Sequence, residues 1–166
     1  VGSGADAQLN LYVFDQFGNN LNSAWPKSFS GHYDTIPAVG DINNDGFAEI
    51  ILHVGITSID PYISEIYIYD YQGTELINLN EDYISFGEPP VIADINNDGY
   101  GEFFIAYDAG IQGYDYLGNK FTGWPVEAIM PSNLAFADLN NNQKLELFYS
   151  DAAEGMIVKT QSDINN

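Results

Sequence analysis

Three stretches of the chain set side-chain oxygens at alternating positions. DINNDGFAE runs from Asp41 to Glu49, DINNDGYGE from Asp94 to Glu102, and DLNNNQKLE from Asp138 to Glu146. In the first, oxygens stand at positions one, three, five and nine, on Asp41, Asn43, Asp45 and Glu49. Tightly spaced hard oxygen donors, with no nitrogen or sulfur ligand among them, select Ca²⁺ over zinc or copper. Gly46 at position six permits the positive-φ turn that wraps a chain round an ion, and the Phe47 carbonyl at position seven offers a fifth oxygen. The second stretch has the same order: Asp94, Asn96, Asp98, the Tyr100 carbonyl and Glu102. In the third the corresponding positions are Asp138, Asn140, Asn142, Lys144 and Glu146. There a charge is lost at Asn142, Gln143 replaces the glycine of the turn, and a lysine sits beside the site. Two calcium sites are expected, and a third that is weak or absent.

Asn, Asp and Gly also make turns without metal, but near-identical copies in repeat phase favour the metal reading. An EF-hand or dockerin-like loop shares the opening residues. It needs a carboxylate at position twelve and a helix after it. Position twelve is Leu52 in the first copy and Ile105 in the second, each within a run of apolar, β-branched or aromatic residues. The loops therefore join strands.

The loops recur in steps of 53 and 44 residues. A second landmark keeps pace with them: LYVFDQFGN (11–19), IYIYDYQGT (66–74) and IQGYDYLGN (111–119) each give a short aromatic strand, then Asp-x-x-Gly, with steps of 55 and 45. Trp25-Pro26 and Trp124-Pro125 echo the same phase. Each full unit reads as four strands: PAVGD (37–41), AEIILHV (48–54), EIYIYDY (65–71) and ELINLN (75–80), then PVIAD, GEFFIAY, GIQGYDY and FTGWPVE. Four strands every 44–53 residues predict an all-β chain of four-stranded antiparallel β-propeller blades. Residues 36–80 and 89–128 make whole blades, 11–29 and 134–160 partial ones, and 1–10 and 161–166 read as linkers. About three blades' worth is present. A propeller of four to eight blades is the usual ring, so the arc is expected to contact further blades, from the same parent chain or from another copy.

The chain carries 24 acidic residues against 4 basic ones, for a formal charge of -20. That excludes a phosphate-binding footprint and disfavours an anionic membrane surface. No apolar run approaches the roughly 20 residues of a membrane-spanning helix. There is no cysteine, so neither disulfides nor thiolate chemistry is available. The start, VGSGADAQ, lacks the basic and apolar regions of a leader, so any leader is expected to have been removed or to lie outside this sequence. His32 and His53 have no local Ser-His-Asp context, and His53 reads as a half-buried group ending a strand. The carboxylates that could pair for glycosidase chemistry lie mostly in the calcium loops. Trp25, Trp124, Tyr67, Tyr69, Tyr114 and Tyr116 read as packing between blades, with stacking on a sugar as the lesser reading for the two tryptophans.

PAVGDINNDGFAEIIL and PVIADINNDGYGEFFI resemble the FG-GAP/VCBS repeats of integrin-α-type β-propellers. The aromatic-Asp-x-x-Gly strands and GWPV resemble bacterial members. The resemblance covers about residues 11–160. It implies one Ca²⁺ in each loop between the first two strands of a blade, held by Asp41, Asn43, Asp45, the Phe47 carbonyl and Glu49, and by their counterparts from Asp94 to Glu102. It further implies a non-catalytic, secreted or cell-surface module for adhesion or recognition, with a protein or carbohydrate ligand. An accessory domain of a secreted peptidase or polysaccharide-degrading enzyme, and a lectin-like sugar binder, are the alternatives.

Overall fold

The computed structural model describes residues 8–30, 36–56, 63–82 and 88–159. Thirteen strands, and no helix among the described residues, form four antiparallel sheets. The first pairs β1 (Gln8–Leu11) with β2 (Lys27–Ser30), and β1 starts inside the stretch read as linker. The second runs in order through β3 (Ala38–Gly40), β4 (Glu49–Ile56), β5 (Ile63–Tyr69) and β6 (Glu75–Glu81). The third repeats it with β7 (Val91–Ala93), β8 (Glu102–Tyr107), β9 (Gly110–Tyr114) and β10 (Val126–Glu127). The fourth has three strands, β11 (Ser132–Ala137), β12 (Glu146–Asp151) and β13 (Gly155–Lys159). This is a partial propeller-like arrangement, as the strand pattern predicts.

Burial on both faces explains why the second strands read as unbroken apolar runs and do not alternate. Ile51, Ile66 and Ile68 of the second sheet meet Phe103, Ile105 and Tyr114 of the third in one core. The opposite face of the second sheet, with Ile50, Leu52 and Tyr69, packs on Trp25 and Phe29 of the first. Phe104, Ile111 and Val126 carry the third sheet onto Leu147 and Tyr149 of the fourth. The strand β12, covered on one side, alternates buried and half-buried residues beyond Leu147.

His53 lies within β4 and is buried, not half-buried at a strand end, because both faces of that sheet are covered. Burial pushes its imidazole down to about 4. His32 falls outside the described residues. Trp25 is buried and Trp124 half-buried, the latter against Phe104 and Phe136 with ring centroids 4.7 and 6.4 Å away. Both rings are committed to packing between sheets.

The contribution of a covered face can be measured at one repeated position. Ile42 is buried between the second and third sheets, while its counterpart Leu139 is exposed. Ile42→Ala should destabilise the chain by about 2–4 kcal/mol. Leu139→Ala should change it by less than about 0.5 kcal/mol. Denaturant melts of the two variants check the contrast.

Candidate functional site

All three acidic loops connect the first and second strands of a sheet, and their backbones agree. Position four is left-handed in each, with φ of 58° at Asn44, 59° at Asn97 and 59° at Asn141. Position six is left-handed too, with φ of 90° at Gly46, 89° at Gly99 and 67° at Gln143. The third loop keeps the turn despite its side chain, a conformation that costs a residue with a Cβ on the order of 1 kcal/mol.

Within the first loop, Asp41 accepts the N–H groups of Asp45 (3.1 Å) and Gly46 (2.9 Å). Asn43 Oδ1 accepts the Asp45 N–H at 2.9 Å, and Asp45 Oδ1 accepts that of Phe47 at 2.8 Å. Asn43 Nδ2 stands between two carboxylates, donating to Asp45 Oδ2 (3.2 Å) and Glu49 Oε1 (3.3 Å). The second loop repeats every one of these bonds. Asp94 takes Asp98 and Gly99, Asn96 Oδ1 takes Asp98, and Asp98 takes Tyr100. Asn96 Nδ2 bridges Asp98 Oδ2 (2.9 Å) and Glu102 Oε1 (3.3 Å). In the third, Asp138 takes the N–H groups of Asn142 and Gln143, and Asn142 takes that of Lys144. Asn140 Nδ2 donates to Glu146 Oε1 at 3.0 Å, with no carboxylate at position five to share it.

The glutamate at position nine is buried in all three copies. Its Oε2 accepts the N–H of position two: Ile42 at 3.0 Å, Ile95 at 2.9 Å and Leu139 at 2.8 Å. Burial pushes the Glu102 carboxyl up to about 7, opposed by the Ile95 N–H and reinforced by Asp98 and Asp94. Burial raises Glu49 as well, with Asp45 and Asp41 adding to it. Among the described residues the one ion pair joins exposed Lys120 to half-buried Glu81 at 2.9 Å. Among the described residues no cation pairs with the loop glutamates, which face N–H dipoles and, in the first two loops, the neighbouring aspartates.

Oxygens of the predicted ligand set share each loop, but they are not gathered into a cage. Among the described residues no group of three or more His, Cys, Asp or Glu side chains is arranged to hold a metal ion. The reason is visible in the first loop: backbone N–H groups occupy Asp41 and one oxygen of Asp45, and the Asn43 amide separates Asp45 from Glu49.

Two residues have a role that the sequence pattern did not reveal. The side chain at position seven stacks on the tyrosine after the Asp-x-x-Gly aspartate, Phe47 on Tyr71 at 4.7 Å and Tyr100 on Tyr116 at 4.4 Å. That aspartate closes its own turn: Asp15, Asp70 and Asp115 accept the N–H four residues on, from Asn19, Thr74 and Asn119. Three glycines in those turns have φ of 82–88°. The repeated Asp-x-x-Gly spacing was the signal for both.

Residues 94–149 match the FG-GAP-like repeat family. The matched FG-GAP-like segment holds the second and third loops and spans 56 of the 166 residues. The first loop lies outside it yet repeats the second bond for bond. No curated protein matches the chain.

A cleft of about 620 Å³ lies away from the loops, lined by Tyr107, Asp108, Glu127, Tyr149, Asp151 and Lys159 among others. Asp151 there is a cap, accepting the N–H groups of Ile129, Ala153 and Glu154. The Ile129 bond, with that of Ala153, holds it below the usual carboxylate range.

The glutamates make the metal-free chain sensitive to pH. Glu102 titrates at about 7 when folded, against 4.5 for the free side chain. The folded state then binds the proton more tightly than the unfolded one. Its stability contribution is complete below the free value and is lost as pH rises through the folded one. In chelator, the melting temperature should fall between pH 5 and pH 8, and Glu102→Gln should flatten that slope.

Proposed function

We propose that the chain is a non-catalytic, calcium-stabilised propeller module of an exported or cell-surface protein, serving adhesion or recognition. The observation that carries the calcium reading is the pair of buried glutamates, Glu49 and Glu102. Each lies beside two aspartates, with an asparagine amide as the positive end between carboxylates. Leaving a buried carboxylate to dipoles alone is costly, and a divalent cation supplies full charge where the amide supplies a fraction of one. The donors are all hard oxygens, the chemistry calcium takes.

Asp41, Asn43, Asp45, the Phe47 carbonyl and Glu49 would hold one ion, and Asp94, Asn96, Asp98, the Tyr100 carbonyl and Glu102 a second. The ion would compete with the Asn43 and Asn96 amides for carboxylate oxygens those amides now occupy. Asp138, Asn140, Asn142, Lys144 and Glu146 offer one carboxylate fewer and a lysine, so the third loop binds weakly or not at all. The aromatic stacks on Phe47 and Tyr100 steady the position-seven backbone before any ion arrives. Adhesion and an extracellular setting rest on the likeness to the FG-GAP-like repeat. Non-catalytic service fits a chain whose Asp151 is tied up as a cap and whose His53 is buried.

Calcium at 100 times its dissociation constant should stabilise the chain by about 2.7 kcal/mol per site, read as a rise in melting temperature that chelation reverses. An unchanged melt after thorough chelation, with no metal by elemental analysis, would overturn the reading.

Asp45→Ala and Asp98→Ala should each remove one site in a calorimetric titration. Asn142→Asp combined with Gln143→Gly should strengthen the third, through restored charge and an unstrained turn. Three equal sites in the parent chain would contradict that order.

A further inference from the structure

The inner junction, between the second and third sheets, changes character along its length. Near the acidic loops it is apolar: Tyr114 of β9 shares one core with Ile77 and Leu79 of β6. Successive residues of a strand alternate between faces. Gln112 therefore lies on the same side of β9 as Tyr114, and Glu81 continues the row of Ile77 and Leu79. At this far end the two sheets stand apart. A cleft of about 580 Å³ opens between them, lined by Glu81, Tyr107, Gln112, Trp124 and Pro125 among others. Tyr107 ends β8, whose first residue, Glu102, belongs to the acidic loop, so the cleft and the loop lie at opposite ends of that strand. The volume falls in the range of small-molecule sites, roughly 300–1,000 Å³.

Gln112 is only 4% exposed. Its Nε2 donates to the Gly113 carbonyl at 2.8 Å, a carbonyl that the Phe121 N–H already satisfies at 2.8 Å. Its Oε1 accepts no hydrogen bond among the described residues and opens on the cleft. The bond this amide makes is redundant, and the bond it lacks is one that a buried polar group normally has. At the junction between the first and second sheets the same place, three residues before the Asp-x-x-Gly aspartate, holds Tyr67. That tyrosine fills its gap, with its ring 4.9 Å from Phe29 and its hydroxyl donating to Glu65. Gln112 leaves the gap open and presents an amide oxygen to it.

We propose that this cleft binds a neutral sugar residue, which gives a ligand class to the recognition role proposed above and rests on it. Charge decides against ions. Lys120 holds Glu81 at 2.9 Å, leaving Asp82 as the one unpaired charge of the lining. An organic cation would meet the Lys120 ammonium, and an anion would meet Asp82 on a chain of charge -20. What the cleft offers is acceptors and a donor side by side. The Gln112 oxygen and Glu81 accept, and the Lys120 ammonium donates. A hydroxyl is the group that answers both at once. Pro125 and the part of Trp124 left open by Phe104 and Phe136 supply an apolar wall. The C–H face of a sugar ring is the surface that fits it.

Amide and indole NMR spectra of the full chain, recorded with glucose, galactose, mannose and N-acetylglucosamine each raised to about 50 mM, test this. At least one sugar should shift the signals of Gln112 and of the Trp124 indole. Gln112→Met keeps nearly the same shape and removes the acceptor. It should raise the dissociation constant of that sugar about tenfold. Its melting temperature should stay level or rise, since only a redundant bond and a buried polar group are lost. Glu81→Gln should weaken the same sugar, and it keeps binding measurable should Gln112→Met fail to fold. No shift with any of the four sugars would overturn the proposal. So would either folded variant binding as the parent does, or a lysine-rich peptide that moves those signals when no sugar does. Calcium-dependent melting of the same sample reports separately on the module reading. A chain that calcium stabilises and no sugar engages loses the sugar site and keeps the calcium.

Discussion

A single buried carboxylate holds the junction between the second and third sheets at its acidic loop. Glu49 grips the N–H of Ile42, and Ile42 then does two further things. Its side chain enters the core between the second and third sheets, and its carbonyl accepts the Gly101 N–H of the third sheet at 2.9 Å. The approach is close enough that a Cβ on Gly101 would lie 3.2 Å from Ile42 and 3.0 Å from Ile92. A side chain there would require Ile42 and Ile92 to give way by a few tenths of an ångström. Strand, loop and adjoining sheet are therefore tied through one residue whose position a buried glutamate sets.

This coupling changes how the loop's charge should be read. An exposed Asp or Asn cluster could exist for solubility alone. Glu49 and Glu102 are different, because they must stay buried to hold position two, and burial is what makes their ionisation costly. The structural duty and the proposed affinity for a cation fall to the same carboxylate through different oxygens, Oε2 gripping the backbone and Oε1 facing the asparagine amide. The third loop keeps the duty, with Glu146 still gripping Leu139, while giving up part of the charge.

The strands were legible because β-branched and aromatic runs were punctuated in phase by two turn types, each with its own local chemistry. The loop backbone was partly legible. Gly46 and Gly99 announced a left-handed position six, but the left-handed position four at Asn44, Asn97 and Asn141 carried no such signal, because it falls on asparagines that the ligand pattern passes over. Position nine was read as a ligand, and its grip on a backbone N–H could not be seen without the fold that brings it seven residues back. His53 was misplaced for a related reason. Its polarity argued for the end of a strand, while the apolar residues around it, buried on both faces, decided otherwise. Phe47 and Tyr100 were read for their carbonyls, although their rings are what anchor the loop end.

Each described sheet packs against the sheets beside it in sequence, and the two outermost sheets each leave one face without a neighbour. The chain therefore behaves as a short stack more than as a globule with one centre. In a stack, stability is approximately a sum over layers and the contacts between them, and an end layer has half the contacts of an inner one. Disorder in such an array enters from the ends and is arrested by each junction it meets. The inner pair of sheets, joined through Ile42 and Gly101, is the last part to lose its order, which makes that pair the natural keel on which the remainder of the arc is laid.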